Sequence, residues 1–140
     1  MYKAALALAA TLMFNTVSDA RDYHPVSADN LAQTPQTYAD EAIEIRNLKC
    51  YYPDNGIYRC FKDSKLIVYA HHLRGGHAAH FIRENCENFR IASLYKTCLF
   101  TLGLTFSGDE IGNDYVAFFY PRTIIRVNQA TILYPLYEHF

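Results

Sequence analysis

The chain has 140 residues and a formal net charge of −1 at pH 7. It is long enough for one ordinary domain, and its balanced charge gives no global attraction for nucleic acid or anionic membrane. Twelve tyrosines and nine phenylalanines, with no tryptophan, supply ample material for a β-rich core.

The N-terminus carries one positive charge, Lys3, ahead of Ala4–Phe14, which is apolar apart from Thr11. Ser18 and Ala20 then place small residues three and one positions before a cut following Ala20. Charged start, short apolar stretch and small-residue exit are the three parts of a secretory signal, here of the brief bacterial type. A spanning helix needs about 20 apolar residues, and this run is too short. Residues 1–20 are therefore expected to be a cleaved signal peptide. The mature chain, Arg21–Phe140, is expected in the periplasm or outside the cell, with no membrane span. No cysteine stands immediately after the cut, so a lipid anchor is not expected.

Residues 21–41 contain Pro25, Pro35 and several small or polar residues with poor hydrophobic periodicity. They read as a flexible leader with a short helical turn near Ala28–Ala32. From Ala42 the texture alternates. Ile43, Ile45, Asn47, Lys49 and Tyr51 fall on one face of an imperfect strand; Glu44, Arg46, Leu48, Cys50 and Tyr52 fall on the other. Pro53-Asp54-Asn55-Gly56 is a turn. Ile57–Lys62 is a second strand, Lys62–Lys65 a tight polar turn, and Leu66–Ala70 a buried strand. Three strands thus form a meander.

Arg74-Gly75-Gly76 breaks that pattern, and His77–Phe89 takes helical spacing through Ala78, Phe81, Ile82 and Asn85. Leu94–Phe106 is expected to be a long strand, with Gly103 marking a bulge or a close approach. Ser107–Asp114 reads as a polar loop. Tyr115–Val127 reads as a fifth strand bent at Pro121, and Ala130–Tyr134 as an added edge strand. A core domain over 42–128 with a C-terminal extension at 129–140 follows.

The cysteines are Cys50, Cys60, Cys86 and Cys98. An even number in an exported chain implies disulfides. A hairpin centred at residue 55 sets Cys50 opposite Cys60, and Cys86 and Cys98 pair by elimination. A four-cysteine zinc site is disfavoured by the absence of close cysteine spacing.

A three-strand meander, a helix and two further strands is the element order of the OB-fold, a five-stranded Greek-key barrel with a helix between strands three and four. The chain resembles small exported bacterial OB-like domains in which a cysteine at the helix end is linked to the following strand. Here those residues are Glu84-Asn85-Cys86 and Lys96-Thr97-Cys98. The resemblance covers residues 42–128 and implies architecture only. A β-sandwich or an α+β sheet is the alternative.

His71, His72, His77 and His80 are the conspicuous chemical feature. With His77 and His80 one turn apart, they could bind Zn²⁺ or Cu²⁺, although no H-E-x-x-H motif is present. No G-x-S-x-G signature occurs, bridged cysteines cannot act as nucleophiles, and Asp109-Glu110 lies in a loop where adjacent acids usually solvate the chain. No enzymatic activity is expected, and no cofactor other than that candidate Zn or Cu. Residues 43–106 hold nine Lys/Arg and five Asp/Glu, and Tyr58, Phe61 and Tyr69 offer stacking surfaces for an oligonucleotide. Asp109, Glu110 and Asp114 oppose phosphate, and export removes the chain from most nucleic acid. The favoured expectation is an exported, disulfide-stabilised binding domain. Its partner is an envelope or extracellular protein, peptide or glycan, bound on strands one to three together with Asp109 and Glu110.

Overall fold

The computed structural model describes residues 22–116 and 120–135. The expected signal peptide lies outside them. Among the described residues no helix is long and apolar enough to cross a membrane.

Strand β2 spans Ile43–Tyr51, β3 spans Tyr58–Lys62 and β4 spans Leu66–Arg74. They pair antiparallel in sequence order, as the turns at 53–56 and 63–65 require. Asp54 and Asp63 sit at φ 65° and 51°, left-handed positions that a short polar side chain tolerates. The imperfect alternation of β2 has a specific cause. Ile43 and Ile45 are buried, and so are Leu48 and Cys50, three and five residues past Ile45. Between Ile45 and Leu48 the pairing register shifts by one residue, a β-bulge with Asn47 at φ 62°. The inward phase therefore changes partway along the strand, so Lys49 and Tyr51 do not share a face with Ile43 and Ile45 as a strict alternation implies.

Helix α2 (His77–Asn85) and helix α3 (Phe89–Leu94) follow. One helix through residue 89 was expected. The Asn88 side chain instead accepts from the Ile91 N–H at 2.9 Å and starts a second helix. That helix absorbs Leu94, and Lys96–Cys98 is a single 3₁₀ turn, so strand β5 begins only at Leu99 and runs to Leu104.

The C-terminal third departs furthest from expectation. Gly108–Glu110 is a 3₁₀ turn, and Ile111–Val116 is a strand, β6, where a polar loop was expected. Strand β7 runs unbroken from Tyr120 to Pro135. The expected bent strand over 115–127 is therefore two antiparallel strands, with Tyr115 opposite Pro121. Proline is tolerated there because it sits at the start of β7. Ala130–Tyr134 is no edge strand: it is the part of β7 that pairs with β5.

These pairings close a five-stranded barrel in the order β2-β3-β4-β7-β5 and back to β2. Strands β4 and β7 are parallel and the other barrel pairs antiparallel. The fold is mainly β, OB-like in strand order; among the described residues the one helix of more than two turns lies between the third and fourth barrel strands, as the element order implies. Inside lie Ile43, Ile45, Leu48, Leu66, Val68, Phe100, Leu102, Leu104 and Ile125, all essentially without solvent access. Burial of each such side chain is worth about 1.5–3 kcal/mol.

The expected leader belongs to this domain. His24–Pro25 forms strand β1, parallel to β2, and Ala28–Gln33 forms helix α1, capped by Ser27. Leu31 is fully buried. Gly103 does mark a close approach: a Cβ there would lie 2.9 Å from the ring of Tyr23.

Candidate functional site

Both disulfides have the pairing read from the sequence. Cys50 and Cys60 face each other across β2 and β3, with Cα atoms 4.0 Å apart. Cys86 and Cys98 join the end of α2 to the turn before β5. All four are buried, so they act as framework. The Tyr52 N–H also donates to the Cys86 carbonyl at 2.8 Å, fastening the end of β2 to the same corner.

The outer surface of β2 is covered in its second half, past the exposed Arg46 and Asn47. Lys49 Nζ donates to the Ser93 carbonyl of α3 at 2.7 Å. Phe89 packs its ring against Phe61 and Tyr51 at centroid distances of 4.7 and 6.2 Å. On β3, β4 and β7 the outside is mixed: Phe61, Ile67 and Ile124 are buried, whereas Arg59 and Tyr69 are half-buried and Arg126 is exposed. Period-two alternation decides what they present. Cys60, Val68 and Ile125 point inward. Their neighbours point outward as two cross-strand rows. One is Phe61–Ile67–Ile124, and the other is Arg59–Tyr69–Arg126.

The second row is the polar centre of the face. Arg59 Cζ lies 5.3 Å from the Tyr69 ring centroid and Arg126 Cζ 5.1 Å from it. The two arginines come from strands on opposite sides of β4, and both guanidinium groups pack on the Tyr69 ring. Arg59 Nε is buried without a hydrogen-bond partner. A groove of about 580 Å³ opens over this row, walled also by Ile57, His71 and Glu110. Beyond Ile124 the face ends in a bidentate pair: Arg122 Nε and Nη2 donate to the two Asp114 oxygens at 3.0 and 2.8 Å. Hydrogen bonding to Arg122 holds the Asp114 carboxyl below the usual carboxylate range, and the same bond holds Arg122 more firmly protonated. A neighbouring groove of about 440 Å³ is lined by Lys49, Phe61, Lys62, Phe89 and Arg122.

The residues singled out from sequence are redistributed accordingly. Phe61 and Tyr69 share the outer face, but Tyr58 pairs with Ala70 and turns inward. There it meets Tyr52 at 4.7 Å between ring centroids, and burial pushes its hydroxyl pKa up. Glu110 reaches the groove while its carboxylate accepts the Ser107 N–H at 2.9 Å in a capping box. Asp109 is exposed on the same turn. His71 and His72 are consecutive on β4 and alternate in direction. His77 opens α2, and His80 lies 3.7 Å from Glu84. Among the described residues, no group of three or more His, Cys, Asp or Glu side chains converges as a metal centre. Sequence reasoning missed Arg59 and Arg126. Arg59 and Tyr69 are related by the tight 63–65 turn, which was a usable signal. Arg126 joins them only through the β4–β7 pairing.

Comparison with protein-family models, curated proteins and solved structures finds no match.

Proposed function

We propose that this chain is an exported, non-enzymatic binding domain, and that the outer face of β3, β4 and β7 holds its partner. The observation that carries the reading is the Arg59–Tyr69–Arg126 row: three large side chains in register over an open groove, two of them cations with no carboxylate partner among the described residues. Exposed conformationally fixed arginine and tyrosine are the residue types that dominate binding energy at interfaces. Export is supported by the use of all four cysteines in two disulfides, bonds that persist in oxidising compartments.

The reading also changes the nucleic-acid alternative. A base-stacking platform needs an aromatic face open to the ligand. Two guanidinium groups already pack on the Tyr69 ring, and Tyr58 is turned inward.

The test is affinity capture from envelope and culture-medium fractions with the oxidised domain, run in parallel with Arg59→Gln/Arg126→Gln and with Arg90→Gln. Arg90 is an exposed arginine on α3, outside the groove. The expected result is a partner retained by wild type and Arg90→Gln and lost from the double variant. Equal retention by all three would sink the assignment of this face.

A further inference from the structure

We propose that the Arg59–Tyr69–Arg126 row is a carboxylate-recognition site for an acidic, extended segment of a protein partner. The proposal rests on the binding-domain reading and gives that partner its chemistry.

Three guanidinium groups lie along this face, and they differ in one respect. Arg122 has its carboxylate, Asp114, in a bidentate pair. Arg59 and Arg126 have the Tyr69 ring and, among the described residues, no acceptor within ion-pair distance. Arg59 Nε is buried without an acceptor, and the guanidinium packs on the Tyr69 ring. An arginine held in this way has already given up rotamer freedom, so less is lost when a ligand arrives. Each presents a planar fork of N–H donors, which matches a carboxylate and which a single ammonium group does not reproduce.

The surroundings select among anions. Glu110 faces the groove with its charge fixed by the Ser107 N–H, Asp109 is exposed on the same turn, and Asp114 closes the far end. Against Arg59, Arg126, Arg122 and the neighbouring His71 these make a mixed field. An extended peptide sets only every second side chain against this field, a spacing it tolerates better than the unbroken charge of a phosphate backbone. Sugars and bases would compete with these two guanidinium groups for the Tyr69 ring. What remains is hydrogen-bond donors beside apolar wall, supplied by Ile57 and Val127. That combination suits the methylenes and carboxylates of aspartate and glutamate side chains.

The experiment measures fluorescence anisotropy of labelled hexaglutamate on the oxidised protein, beside labelled hexaglutamine, a galacturonate hexamer and a single-stranded DNA hexamer. Hexaglutamate is expected to bind and hexaglutamine to fail. Arg59→Gln or Arg126→Gln is expected to weaken binding by about tenfold or more, with Arg59→Lys restoring only part of the loss. In ¹⁵N spectra the Nε–H signals of Arg59 and Arg126 should move on titration while that of Arg122 stays. The proposal is overturned if hexaglutamate binds the variants as well as wild type, or if the galacturonate or DNA hexamer binds more tightly. Near-identical thermal unfolding of Arg59→Lys and wild type guards against reading a folding defect as lost affinity. The two levels also separate. A captured partner lost from the double variant, with no hexaglutamate binding to wild type, removes the carboxylate assignment and leaves the binding face. No partner captured at all removes the face as well.

Discussion

The two sides of β3, β4 and β7 are built from alternate residues of the same strands, yet they obey different rules. Inward, Cys60, Val68 and Ile125 are almost fully buried, and Cys60 is bonded to Cys50. Outward, one residue along in each strand, Phe61, Tyr69 and Arg126 run from buried through half-buried to exposed. The inner side is a packing problem, in which every methylene has neighbours. The outer side is a matter of unspent hydrogen-bonding capacity. Because the strand period is two, one register fixes both, and stability and recognition can be altered independently by moving one position along the chain.

The sharpest way to break the comparison is on the inner side. Ile125→Ala should cost about 2–5 kcal/mol of unfolding free energy, read from denaturant melts, because the closed barrel cannot collapse around the cavity. Replacing Cys50 and Cys60 together with alanine should cost about 2–3 kcal/mol by the same measurement, since the bridge closes a short loop in the unfolded chain. Either loss arising equally from Arg126→Gln would erase the distinction between the sides. At the rim, Asp114→Asn should cost at most about 1 kcal/mol, as for an ion pair open to solvent. Its pH dependence has a definite sign. Arg122 depresses the folded carboxyl pKa, so the contribution is complete above the unfolded carboxylate pKa of about 4 and fades as pH falls through the lower folded value. The variant's deficit should therefore shrink in acid, which melts at a series of pH values will show. The smallest effect belongs to the outer row: Arg59→Gln and Arg126→Gln should each change stability by no more than about 0.5 kcal/mol.

Legibility in the sequence followed the range of the interactions. The meander, the first disulfide and the helix after Gly76 all depend on neighbours within a dozen residues, and turn residues announced them. Strand β6 was hidden because Gly112, Asn113 and Asp114 have the composition of a turn. They form a strand because β7 offers a full ladder of partners. Strand β7 looked like separate pieces because Pro121 and the exposed Asn128 and Gln129 interrupt its apolar run. The leader looked unstructured because its anchors, Tyr23 and Leu31, are isolated in the sequence and find their places only on the finished barrel. The candidate site was half visible. Phe61, Tyr69 and Glu110 were singled out as residue types, whereas Arg59 entered only in the basic count and Arg126 reaches Tyr69 only through the parallel β4–β7 register.

The bulge at Asn47 has a consequence of its own. Strand β2 pairs with β5 from Ile43 to Lys49 and with β3 from Lys49 to Tyr51, and the extra residue resets the phase within the β5 ladder before the β3 pairing begins. Without the bulge, strict alternation from Ile45 would turn Leu48 to solvent and Cys50 away from Cys60. Deleting Asn47 would instead leave Ile45, Leu48 and Cys50 in plain alternation, all still inward, and the strand would lose only its local distortion. Closure of the Cys50–Cys60 bond thus reports on the phase of the strand ahead of it.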